Sequence, residues 1–155
     1  MNQKTVILSC SSLKDYVEAA QRAVGTAFPV IYLNRVYHRD PQEMREHVLE
    51  ELGRLPEDVG TVLVSMGFCG GSWEDVEVPC RVVLPRIDIM DTGLNDCRRP
   101  DYRAVVQADA DWLGASLGYV PGGTHLLEKL FSGRWDGQFL VLEKGTRTNR
   151  EQILI

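Results

Sequence analysis

Several familiar signatures are missing from this chain, and each absence removes a class of function. No Cys-x-x-Cys pair occurs, which excludes a zinc ribbon and a thioredoxin-type redox motif. No Gly-x-Gly-x-x-Gly order is present, and no lysine follows the glycines at Gly67, Gly70 and Gly71, so neither a dinucleotide fingerprint nor a phosphate-binding P-loop is written here. Basic charge is scarce. The densest basic run is the pair Arg98-Arg99, the net charge is -5 and the isoelectric point is about 5.2, which argues against nucleic acid as a partner. Long hydrophobic runs are absent too: nothing approaches the roughly 18 apolar residues of a membrane span. The N-terminus enters a short apolar run with no small-residue cleavage site and does not read as a signal peptide, so a cytoplasmic protein with no membrane partner is expected. No repeat, low-complexity tract or linker interrupts the sequence, and 155 residues suit one domain, 1–155.

What is present alternates. Lys4 to Ser9 (KTVILS) is an aliphatic, β-branched run with the look of a strand buried on both faces. A helix follows from a cap at Ser12, with Leu13, Tyr16, Val17, Ala20 and Val24 at helical spacing and Gly25 as its stop. A second strand is expected over Phe28 to Asn34. Asp40-Pro41-Gln42-Glu43 then starts a second helix, with Asp40 as cap, proline in the first position and Glu43 closing a capping box. Strands over Asp58 to Gly67 and Cys80 to Arg86 follow. Helices are expected over Tyr102 to Ala115 and over Thr124 to Ser132, with Gly133 as stop, before a last strand at Gln138 to Lys144. This order predicts an α/β fold: a single three-layer domain with a mostly parallel, Rossmann-like sheet of about five strands. The tail from Gly145 is polar until its last three residues and is expected to pack loosely or against a partner.

That architecture gives the cysteines a meaning. In an open parallel sheet, ligands bind beyond the carboxyl ends of the strands. The first strand ends at Cys10, the second runs toward His38, the third ends at Cys69 and the fourth at Arg86-Ile87-Asp88. If the four strands are parallel, Cys10, His38, Cys69 and Asp88 face one crevice. Two thiolates, an imidazole and a carboxylate suit zinc or another transition metal. Arg86 and the Gly70-Gly71 turn are placed to meet an anionic group of a small-molecule ligand or cofactor.

Plainer roles are assigned beside these. Cysteine is among the most buried residue types, and Cys80, at the start of a strand, reads as a core residue. Cys97 lies in a polar loop. His47 shares its helix face with Glu43, Glu46, Glu50 and Glu51 and is expected to be solvated and dispensable. His125 belongs to the first turn of a helix. Trp73, beside Glu74 and Asp75, is expected to cover the crevice or pack over it.

One combination of segments has a family look. VLVSMGFCGG (Val62 to Gly71) followed by CRVVLPRID (Cys80 to Asp88), with YHRDP (Tyr37 to Pro41) upstream and the stretch from Gly122 to Gly145 near the end, resembles the domain of unknown function 1638 family. The resemblance runs through most of the chain. By position it places Cys10, His38, Cys69, Arg86 and Asp88 on the polar points of the family pattern. The chain departs from that pattern in two places. The Tyr-Gly-Leu-Cys turn reads Met66-Gly67-Phe68-Cys69, and the cysteine expected after Pro-Arg-x-x-Asp is missing, since Pro85-Arg86-Ile87-Asp88 continues as Ile89-Met90. If the missing cysteine is a metal ligand in the family, this chain has lost it, or Cys97 or Asp88 takes its place. The resemblance implies a setting near corrinoid-dependent methyl-transfer systems of anaerobes, with a corrinoid or methyltransferase protein as partner and corrinoid as a cofactor of that context.

The expected function is a small metal-binding protein of anaerobic one-carbon or corrinoid metabolism. Two alternatives stand beside it: a non-metal ligand- or partner-binding accessory module, and a thiol enzyme with Cys69 as nucleophile and His38 as base.

Overall fold

The computed structural model describes residues 3–66, 72–85, 125–137 and 139–148. Five strands and three helices are found among them. They are β1 (Lys4–Cys10), α1 (Lys14–Val24), β2 (Val30–Leu33), α2 (Pro41–Gly53), β3 (Val59–Ser65), β4 (Arg81–Pro85), α3 (His125–Phe131) and β5 (Phe139–Leu142). Short 3-10 turns occupy Ser11–Leu13 and Arg35–Arg39.

The strands form one sheet in the order β2-β1-β3-β4-β5. Pairings β1–β2, β1–β3 and β3–β4 are parallel, and β4–β5 is antiparallel, with Val82 opposite Leu142 and Pro85 opposite Phe139. The fold is α/β as expected, but the sheet is mixed rather than mostly parallel. The expected order put a loop before the fourth strand and two helices before the last one, yet the sheet was expected to be parallel for the most part. Between the last two strands the sequence itself proposes two helices, and a chain that reverses twice reaches the sheet from the opposite end.

The apolar residues divide by parity. Ile7, Leu63 and Val83 point to one face, where Val17 and Ala20 of α1 and Leu127 and Leu130 of α3 cover them. Leu8, Val64 and Leu84 point to the other face, under Met44, Val48 and Leu52 of α2. Because neighbouring strand residues face opposite ways, a strand covered on both sides must be apolar throughout. Each such side chain contributes about 1.5–3 kcal/mol by leaving water.

Local signals explain where the helices start and stop. The Asp40 carboxylate accepts from Gln42 N at 3.0 Å, and Pro41 occupies the first turn of α2. The capping box is not completed by Glu43, because Asp40 N already donates to Tyr37 O at 3.2 Å. Ser12 is not the cap of α1. It lies inside the 3-10 turn, and Leu13 stands at the cap position without a side-chain hydrogen bond. Gly25 (φ 76°) and Gly133 (φ 81°) adopt the left-handed conformation that ends α1 and follows α3, as their positions imply. The helix expected over 102–115 lies outside the described residues.

Candidate functional site

The order β2-β1-β3-β4 has its switch between β1 and β3. The chain leaves β1 toward β2 on one side and leaves β3 toward β4 on the other. Loops that diverge in this way open a crevice above the two strand ends. Ser9 pairs with Ser65 in the register, so Cys10 and Met66 are the next residues on adjacent strands.

Buried hydroxyls hold this edge together. The single Ser9 Oγ–H is shared between Cys10 O (3.0 Å) and Ser65 O (3.1 Å), and the latter contact joins the ends of β1 and β3. Ser11 Oγ accepts from Arg35 N at 2.9 Å and ties the turn after β1 to the turn after β2. Asn34 Oδ1 accepts from Val36 N and starts the turn that carries His38. Ser65 Oγ is buried without a hydrogen-bond partner. These serines were missed in the sequence, although a signal existed: each is the polar residue near the end of an otherwise apolar strand, in ILSC and VLVSM.

Cys10 stands at the carboxyl end of β1, as expected. It is 1% exposed, and its side chain belongs to the apolar cluster on the α2 face with Leu33, Met44 and Met66. His38 lies in the Arg35–Arg39 turn beyond β2. Cys69, Gly70, Gly71, Arg86, Asp88 and Cys97 lie outside the described residues. Among the described residues no group of three or more His, Cys, Asp or Glu side chains is arranged to hold a metal ion.

Three other expectations change. Trp73, expected to cover the crevice or pack over it, is wholly buried in the cluster on the α2 face, with its indole N–H unpartnered. His47 is not simply solvated: its ring stacks on Tyr37 with centroids 3.8 Å apart and planes 9° apart, and Nδ1 lies 3.6 Å from a Glu50 oxygen. His47 therefore makes a ring contact with Tyr37 that a freely solvated histidine lacks. The segment from Gly145 to Thr148 does not pack loosely but forms an antiparallel ladder with residues 75–78.

At the opposite, amino edge of the sheet, Cys80 is half-buried beside a cavity of about 290 Å³ whose lining includes Gln3, Gly60, Arg81 and Lys144. Burial pushes its thiol pKa up, and Lys144 pulls it partly back. On β2, burial and then the Glu18 and Asp15 carboxylates raise the Tyr32 hydroxyl pKa. Among the described residues no helix is long and apolar enough to cross a membrane.

Residues 32–99 match the family model described as Protein of unknown function (DUF1638). The matched span begins in β2 and takes in His38, Cys69, Gly70, Gly71, Arg86, Asp88 and Cys97, but not Cys10. No curated protein and no solved structure matches the chain.

Proposed function

We propose, from this likeness and from the meeting of β1 and β3, that the protein binds a zinc-like transition metal at the carboxyl edge of its sheet. The supporting observation is the strand order. It makes the end of β1, which carries Cys10, the neighbour of the end of β3, from which the chain enters the Cys69 loop. The bond from Arg35 N to Ser11 Oγ draws the His38 turn toward the same edge. In this reading the Cys10 and Cys69 thiolates hold the ion, His38 completes a three-residue set, and Asp88 ligates or orients the imidazole. Arg86 and the Gly70-Gly71 backbone bind an anionic group of the ligand. The layering is Rossmann-like and the setting cytoplasmic. The protein serves anaerobic one-carbon metabolism beside a corrinoid or methyltransferase protein partner.

Elemental analysis of protein purified without oxygen or chelator tests this reading. The expected outcome is near-stoichiometric metal in the wild type and an occupancy lower by about tenfold in Cys69→Ser, because serine lacks the soft thiolate. Equal metal content in the two proteins overturns it.

A second reading, an organic-anion module using Arg86 and Gly70-Gly71, is favoured by one observation. The buried Ser65 hydroxyl at the same edge has no partner, as in a site whose hydrogen-bonding ligand is a small molecule. A metal-free protein that binds carboxylates through Arg86 supports that reading instead.

A further inference from the structure

A cavity opens at the amino edge of the sheet. The parallel strands β1, β3 and β4 begin there, and β5, which runs the other way, ends there. The residues just outside these strands therefore meet around one space of about 290 Å³: Gln3 before β1, Glu57 before β3, Cys80 before β4 and Lys144 after β5. At roughly 30 Å³ for each water-sized group, that space holds about ten non-hydrogen atoms.

A backbone detail makes one wall polar. Gly60, the second residue of β3, lies so close to Gln3 that a Cβ there would stand 2.5 Å from the Gln3 amide oxygen. Glycine inside a strand permits such an approach, and the Gln3 amide lies against β3 at the cavity wall.

Four charges border the space, and two of them cancel. Arg81 Nε donates to the two Glu143 carboxylate oxygens, at 3.0 and 3.3 Å, across the β4–β5 pair. Among the described residues, Glu57 and Lys144 make no ion pair. Glu57 stands on the β3 side and Lys144 on the β5 side, and those strands lie about 10 Å apart with β4 between them. Burial raises the Cys80 thiol pKa and the Lys144 ammonium lowers it, so the positive charge is within electrostatic reach of the sulfur.

These charges select the kind of molecule that fits. An anion alone would meet Lys144 but also face Glu57 and Glu143, and a cation alone would face Lys144 and Arg81. A molecule with one charge of each sign, set a few bonds apart, matches both walls. We propose that the amino-edge cavity is a ligand site in its own right, taking a small zwitterion of the amino-acid class. Lys144 holds the carboxylate, Glu57 holds the ammonium, and the Gln3 amide bonds the polar atoms between them. The site shares no residue with the metal reading at the carboxyl edge.

Cys80 reports on the cavity, because its half-buried thiol lines it. In the full chain, iodoacetamide labelling of Cys80 is followed by peptide mass. The probes are the common L-amino acids other than cysteine, and glycylglycine, added one at a time. At least one of them is expected to slow labelling saturably, about tenfold when present at about ten times its Kd. Propionate and propylamine, which carry one charge each, should leave the rate unchanged. Lys144→Gln and Glu57→Gln alter exposed side chains and should fold normally. Each is expected to weaken binding of the protecting probe about tenfold, as for a lost charge-assisted bond. Protection is read as the ratio of rates with and without probe, which cancels the direct effect of the ammonium on the thiol. No protection by any probe overturns the proposal. Equal protection by propionate or propylamine overturns it too, as does protection that survives both substitutions. None of these outcomes depends on metal at the opposite edge, so this proposal and the metal reading fail separately.

Discussion

The two edges of the sheet are held by different forces. At the amino edge the fastenings are exposed ion pairs: Lys4–Asp58 at 3.1 Å, with side chains 69% and 48% exposed, and Arg81–Glu143 at 3.0 Å, with side chains 45% and 61% exposed. Such pairs contribute at most about 1 kcal/mol, and salt screens them. At the carboxyl edge the fastenings are neutral hydrogen bonds from buried Ser9 and Thr148 to backbone carbonyls, set above a buried tryptophan. Little is gained by forming one of these bonds, but much is lost when one partner is removed, because the other is left in a dry interior. The amino edge can therefore vary in charge with little effect on stability. The carboxyl edge cannot lose a bonded hydroxyl without consequence.

The largest effect that separates the edges is expected at Trp73. Trp73→Ala empties a fully buried site on the α2 face and should cost about 3–5 kcal/mol in denaturant unfolding. A loss below 1 kcal/mol would show that the indole is not part of the core. A sharper contrast lies within the carboxyl edge itself. Ser9→Ala strips the Cys10 and Ser65 carbonyls of a donor and should cost about 1–3 kcal/mol, whereas Ser65→Ala removes a hydroxyl that bonds nothing and should be neutral or slightly stabilising. Equal losses from the two serines would erase the distinction between a bonded and an unbonded hydroxyl. The smallest effect belongs to the amino edge. Arg81→Gln should change stability by less than about 1 kcal/mol, and the difference from wild type should vanish in high salt. A large, salt-resistant loss would make that edge as tightly held as the other.

Legibility in the sequence followed the range of the interaction. Among the described residues, strand and helix positions came through to within a residue or two, since the β-branched runs, the Asp40-Pro41 start and the glycine stops act over a turn or less of chain. The direction of β5 was not legible, because strand polarity is settled by the pairing with β4 and not by the residues within the strand. His47 shows a different limit. Its neighbours along the helix are carboxylates, and its stacking partner, Tyr37, lies on a separate element, so helix periodicity described only one side of it. Trp73 was placed over the crevice because polar residues surround it in the sequence. It is buried because its side chain joins a core cluster with residues of β1, α2 and β3 that lie far from it in the chain.

For the candidate site the division is similar. That Cys10 ends a buried strand, and that glycines surround Cys69, is written in short stretches of chain that have the same neighbours in any fold. The adjacency of β1 and β3, the Ser9 stitch across their ends and the bonds from Arg45 and Thr148 to the carbonyls of residues 73–75 are tertiary decisions. Each joins residues distant in the chain, and the cost of bringing such segments together is met by the burial of the whole sheet rather than by any local preference.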